Sequence, residues 1–103
     1  MRRRQKFLLL CTMAVLAAAR LPASAQTADP RLLAMSCAGC HGPDGQSPGS
    51  IPSLRGKNEA AISEALRGYR ADRRPATVMG RIAKGYSDQE IDAVAREIAA
   101  QWK

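Results

Sequence analysis

The stretch Met35–Gly45, MSCAGCHGPDG, carries two of the chain's three cysteines and its single histidine. Cys37 and Cys40 are separated by two residues, and His41 follows directly. Such a C-x-x-C serves as a redox dithiol, as half of a zinc site, as a short disulfide or, with histidine next in line, as a haem attachment. The rest of the chain discriminates among these. A thioredoxin-like dithiol sits in a βαβ setting, and no segment here shows strand alternation. Zinc takes four ligands, and no second pair of Cys or His exists beyond residue 25. A disulfide across two residues closes too small a loop to stabilise much. In haem attachment the two thiols add across the two vinyl groups, and the adjacent histidine is brought beneath the ring as an iron ligand. The motif points to one covalently attached haem c on Cys37 and Cys40, with His41 as an axial ligand of the iron.

The N-terminus supports that reading. MRRRQK is a basic n-region, Phe7–Ala19 an apolar h-region and Ala23–Ala25, ASA, a small-residue cleavage site. This is the layout of a secretory signal peptide over residues 1–25, cleaved before Gln26, and leaves 26–103 as a monohaem domain. The apolar run falls short of the roughly 20 residues that span a bilayer, so no membrane span is expected after cleavage. Export predicts a periplasmic location, and c-type haem is attached outside the cytoplasm. Arg3 and Arg4 suggest a twin-arginine signal, but Lys6 stands where that signal carries an apolar residue. Cys11 lacks the small preceding residues of a lipidation site and reads as part of the h-region.

Charge narrows the function further. Five of the 16 basic residues (Arg2, Arg3, Arg4, Lys6 and Arg20) precede Gln26, and none of the nine acidic ones does, so the net +7 falls to +2. A nucleic-acid partner argued from net charge loses its support. A domain this small, with one Phe, one Trp and two Tyr in the chain, needs a staple such as a large cofactor to build a stable core.

The local signals are helical throughout. Asp29 caps and Pro30 opens a helix from Pro30 to about Cys40, ending at Gly39–Gly42. GPDGQSPGSIPSLRGK is a structured loop. Asn58 caps EAAISEALRGY, where Ile62, Leu66 and Tyr69 share a face. RADRRPATVMGRIAKGY reads as irregular, with Pro75 disfavouring helix at Arg74. Ser87 and Glu90 form a capping box before a three-turn helix presenting Ile91, Val94, Ile98 and Trp102. The expected fold is all-α, a few short helices and long loops wrapped around the haem.

The second axial ligand follows by elimination. Met1 and Met13 lie in the signal, and Met35 is on the attachment helix two residues before Cys37. Met79 remains, in the irregular segment before the last helix; the alternative is a methionine that fills a gap in the core. A thioether favours ferrous iron, and six-coordinate iron leaves no position for substrate. The expectation is an electron carrier rather than an enzyme.

These residues resemble the class I cytochromes c over essentially the whole mature chain. The resemblance implies that the Pro52 carbonyl of IPSLRG accepts a hydrogen bond from His41, that Leu54 packs on the haem and that Gly56 makes a turn. SCAGCHGPDGQS and TVMGRIAKGYSDQEI are similar to the cytochrome subunit of flavocytochrome c sulfide dehydrogenases and to related c4- and c553-type cytochromes. That resemblance implies a partner with FAD, a flavoprotein subunit that oxidises sulfide, and a downstream electron acceptor. Some members carry two haem domains, and relatives place an aromatic residue inside the last helix where this chain has Arg96-Glu97. The competing readings are a free c553-type carrier and a five-coordinate haem enzyme or sensor, against which Met79 argues. From Arg67 to Lys84 the chain holds Arg67, Arg70, Arg73, Arg74, Arg81 and Lys84 against Asp72 alone. Steering of an acidic partner, pairing with haem propionates and a plain solvated face are the three readings of that stretch.

Overall fold

The computed structural model describes residues 27–103, so the signal-peptide reading of residues 1–25 lies outside the described residues. Four helices follow in order: α1 (Pro30–His41), α2 (Glu59–Arg70), α3 (Met79–Ala83) and α4 (Asp88–Gln101). There is no strand among the described residues.

Each long helix starts where its sequence places a side-chain acceptor. Asp29 Oδ1 accepts the Arg31 N–H at 2.9 Å, with Pro30 in the first turn, where its missing N–H costs nothing. Asn58 Oδ1 accepts from the Ala61 N–H at 2.8 Å. At α4 the capping box is complete: Ser87 N–H donates to Glu90 Oε2 at 2.9 Å, and Glu90 N–H to Ser87 Oγ at 3.2 Å.

α4 is the central element, packed against both α1 and α2. Ile91, Val94 and Ile98 recur along one stripe and are the largest fully buried side chains. Ala34 of α1 and Ala95 of α4 are also buried, and such small side chains let the two backbones approach closely. Ile62 joins them from α2, with Leu33, Leu54, Leu66 and Trp102 packed around the cluster. Trp102 is the C-cap of α4, just past its end, and the helix is a turn longer at its N-terminal side than the expected IDAVAREIAAQW.

The segment read as irregular is corrected in one place: Met79–Ala83 is a helix, and Met79 is its first residue. No local signal announces it. Val78 makes no side-chain cap, and Gly80 lies inside the helix. Its burial is tertiary: Ala83 is fully buried and α3 packs on α2. Packing thus overrides weak propensity.

The stability of this arrangement rests on the α4 stripe. Ile98→Ala is expected to lower the free energy of unfolding by about 3 kcal/mol, measured by denaturant titration. Ser87→Ala, which removes only the cap, is expected to cost about 1 kcal/mol.

Candidate functional site

Cys37, Cys40 and His41 occupy the last turn of α1. The helix stops there because Gly42 takes φ +97°, ψ 151°, a backbone region open almost only to glycine. A Cβ at Gly42 would stand 2.1 Å from the Gln46 carbonyl oxygen. The Gly42 N–H still closes on the Ala38 carbonyl at 3.0 Å, and Gly45 N–H returns to the Gly42 carbonyl at 3.0 Å. The chain therefore reverses tightly after His41, and Pro52 comes back beside the imidazole.

His41 is buried, and its Nδ1–H donates to the Pro52 carbonyl oxygen at 2.5 Å. That bond assigns the tautomer and leaves Nε2 with its lone pair, the atom a metal would take. Cys37 is half-buried against the helical core and Cys40 is exposed; the two thiols are not joined. Before haem is attached, burial pushes the Cys37 thiol above its ordinary range, only partly offset by a hydrogen bond from Ser36. Two unlinked thiols and an oriented imidazole on a single helical turn are a donor set that fits covalently held haem. Among the described residues, no three His, Cys, Asp or Glu side chains gather as a metal-ion site.

Met79 is half-buried at the start of α3. The helix it opens packs on α2 and makes no contact with α1, so Met79 and His41 belong to elements that do not touch each other. The loop after α3 does meet α1 at one point, where Ser36 Oγ and the Tyr86 hydroxyl lie 3.3 Å apart. Leu54 is placed on the helical core rather than out in solvent. Met35 is 67% exposed on α1. The shallow groove between α1 and α4, lined by Arg31, Met35, Glu97 and Trp102, holds none of the candidate site residues.

A model of the cytochrome c family matches residues 30–96. The chain belongs to the cytochrome c family. It is 50% identical over 64 residues to the cytochrome subunit of sulfide dehydrogenase from Chlorobaculum tepidum, covering 62% of this cytochrome and 58% of that relative. It is 39% identical over 67 residues to a thiosulfate dehydrogenase electron acceptor from Stutzerimonas stutzeri, 61% of this chain and 31% of the relative. The matched part thus spans little more than half of the first relative and about a third of the second. With cytochrome c-553 of Nitratidesulfovibrio vulgaris the identity is 36% over 94 residues, 84% of this chain and 91% of that one. The cytochrome carries covalently bound haem c on a small helical fold, the equipment of the family's electron transfer. No helix among the described residues is long and apolar enough to cross a membrane.

Half of the basic stretch is paired with carboxylates of the fold, which narrows the expectation of a single cationic surface. Arg67 pairs with Asp92 at 2.8 Å and Asp88 at 3.5 Å, and Arg70 with Asp88 at 2.5 Å, tying α2 to α4. The hydrogen bond from Arg70, helped by its charge and by that of Arg67, holds the Asp88 carboxyl below its ordinary range. Its contribution to stability is therefore present at neutral pH and is lost as the pH falls through that lowered value, weakly because the pair is exposed. Lys84 pairs with Asp72 at 2.8 Å. Arg74 lies over the Tyr69 ring at 5.2 Å. Arg73, Arg74 and Arg81 have no carboxylate partner among the described residues, and all three are exposed.

What sequence reading missed is the seat of this loop. Arg55, Asp44, Gly45 and Trp102 form one contact between the loop and the C-terminus, and nothing local links residues so far apart in the chain.

Gly42→Ala tests the reversal that delivers Pro52 to His41. Strain in the backbone and the clash with Gln46 are expected to cost about 2 kcal/mol or more, read as a lowered thermal midpoint of the holoprotein.

Proposed function

We propose that this cytochrome is a periplasmic one-electron carrier with His41 and Met79 as axial ligands, serving as the cytochrome subunit of a flavin-containing sulfide dehydrogenase. The observation that carries the reading is the His41 Nδ1–H bond to Pro52, which leaves Nε2 oriented and basic on the same turn as both thiols. Haem c supplies one-electron exchange between ferrous and ferric iron. Cys37 and Cys40 hold it covalently, so carrier and cofactor do not separate between partners. Pro52 keeps the imidazole in one tautomer and one orientation, and Leu54 packs beside that turn.

Met79 supports the carrier assignment because a half-buried thioether is a weak donor that stabilises the reduced iron and closes the second axial position. α3 gives Met79 a defined backbone as its first residue. The signal-like N-terminus supports export and haem attachment in the periplasm.

The sulfide reading rests on the likeness to the Chlorobaculum subunit. Its expected donor is an FAD-containing flavoprotein subunit, and a second redox protein receives the electron. Co-expression with an exported flavoprotein from the same source, followed by co-purification and sulfide-dependent reduction of the haem, tests it. The second reading is a free carrier of the c553 type. It is favoured by the match to cytochrome c-553, which runs along nearly all of both chains. A cytochrome that elutes alone and is reduced only by other donors supports that reading against the first.

Docking is assigned to the unpaired cations beside α3. Arg73 and Arg74 precede α3 in the chain and Arg81 lies within it, and this exposed segment also carries Val78 and Ile82, 58% and 42% exposed. An acidic partner surface complements it.

Met79→Ala is expected to abolish the ligand-to-metal band near the red edge of the oxidised spectrum and to lower the reduction potential, with rapid carbon monoxide binding when reduced. Retention of the band excludes Met79 as ligand. Reversing Arg73, Arg74 and Arg81 to Glu is expected to slow electron exchange with an acidic partner at least tenfold at low salt, the difference shrinking as ionic strength rises. Arg67→Glu is expected to weaken the α2–α4 contact instead, and stopped-flow mixing separates the two.

A further inference from the structure

The loop between α1 and α2 is closed on itself and then seated on the C-terminal residues. The Gly45 carbonyl accepts both the Leu54 N–H at 2.8 Å and the Arg55 N–H at 3.1 Å, so residues 46–53, Pro52 among them, hang from a closed neck. That neck is fastened to the end of α4 at three points. The Gly56 N–H donates to the Trp102 carbonyl at 2.8 Å. Arg55 Nε–H donates to the Lys103 carbonyl at 2.7 Å. The Trp102 ring lies against Gly45, where a Cβ would meet Cε3 at 2.5 Å. Arg55 Nη1 also donates to Asp44 Oδ2 at 2.6 Å and Gln46 Oε1 at 3.2 Å, so one guanidinium joins both sides of the neck to the C-terminal backbone. Trp102 rests in turn on the helical core.

We propose that Trp102 and Arg55 are positioning residues for the His41 ligand. They fix the neck, the neck fixes Pro52, and the Pro52 carbonyl sets the donor strength of His41 through its Nδ1–H bond. This inference rests on His41 being an iron ligand. A firm Nδ1–H bond makes the imidazole more basic and favours ferric iron. A neck free to move lengthens that bond on average, weakens the ligand and shifts the reduction potential upward.

The two fasteners differ in strength for a physical reason. The Trp102 ring packs on apolar side chains and on a glycine that admits nothing larger. The Arg55–Asp44 pair is 45% and 57% exposed, so solvent screens it.

Hydrogen exchange on the reduced holoprotein tests the chain of contacts, with NMR following the His41 Nδ1–H, the loop amides of Leu54, Arg55 and Gly56, and the α2 amides. The midpoint potential is measured alongside. Arg55→Ala is expected to speed exchange at His41 and at the loop amides by up to about fivefold, leaving the α2 amides unchanged. Trp102→Ala is expected to speed them by more than about tenfold, ahead of any change in α2. The potential rises in the same order, and Trp102→Phe recovers most of both effects. If exchange at His41 rises only in step with the α2 amides, Trp102 is merely structural and the proposal fails. It also fails if the loop loosens while the potential stays at the wild-type value. Should Trp102→Ala not accumulate, Arg55→Ala decides alone, and unchanged exchange at His41 overturns the proposal. A wild-type protein whose His41 ring protons show no haem ring-current shift overturns the ligand assignment instead, which separates the two failures.

Discussion

One hydrogen bond ties α1 to the loop that follows it: His41 Nδ1–H to the Pro52 carbonyl oxygen. It joins the last turn of a helix to the middle of an irregular loop. Everything around it serves one side or the other. On the helix side, Asp29 and Pro30 start α1 so that both thiols and the imidazole fall on its final turn, and Gly42 ends it in a conformation other residues resist. On the loop side, Gly45 pins Leu54 and Arg55, and the C-terminus pins the neck. An unsupported loop would lose such a bond to water, because a single hydrogen bond contributes only about 1 kcal/mol net. Its persistence depends on the neck and on α4 beneath it.

The charge distribution illustrates how folding reassigns residues. A run of six cations reads as one electrostatic surface when only the chain is considered. In the folded domain, Arg67 and Arg70 hold α2 to α4 through Asp88 and Asp92, while Lys84 braces Asp72, a residue with φ 56° in the turn after α2. The cations that remain unpaired, Arg73, Arg74 and Arg81, are exposed just before α3 and within it. Long-range steering and local structural pairing thus draw on the same segment, and geometry divides it between them.

The legible parts were those governed by neighbours in the chain. Caps at Asp29, Asn58 and Ser87 act over two or three residues, and the stripe Ile91–Val94–Ile98 needs only the helical repeat. The bond from His41 to Pro52 was foreseen through family resemblance rather than spacing. The helix at Met79–Ala83 was not legible, because five residues with an internal glycine and no side-chain cap have little helical preference without α2 to pack on. Nor was the place of Trp102 visible: its periodicity suggested a helix face, while the structure sets it past the helix end against Gly45.

The sequence by itself determined the attachment chemistry: two thiols and one imidazole at fixed spacing. Those are properties of composition and of a single helical turn, and no folding is needed to count them. Tertiary structure alone decided which cations stay free, where the segment carrying Met79 becomes helical, and that the C-terminus clamps the loop behind His41. Each of these joins residues remote in sequence, and contacts of that kind are selected by the packing of the whole core rather than by any local preference.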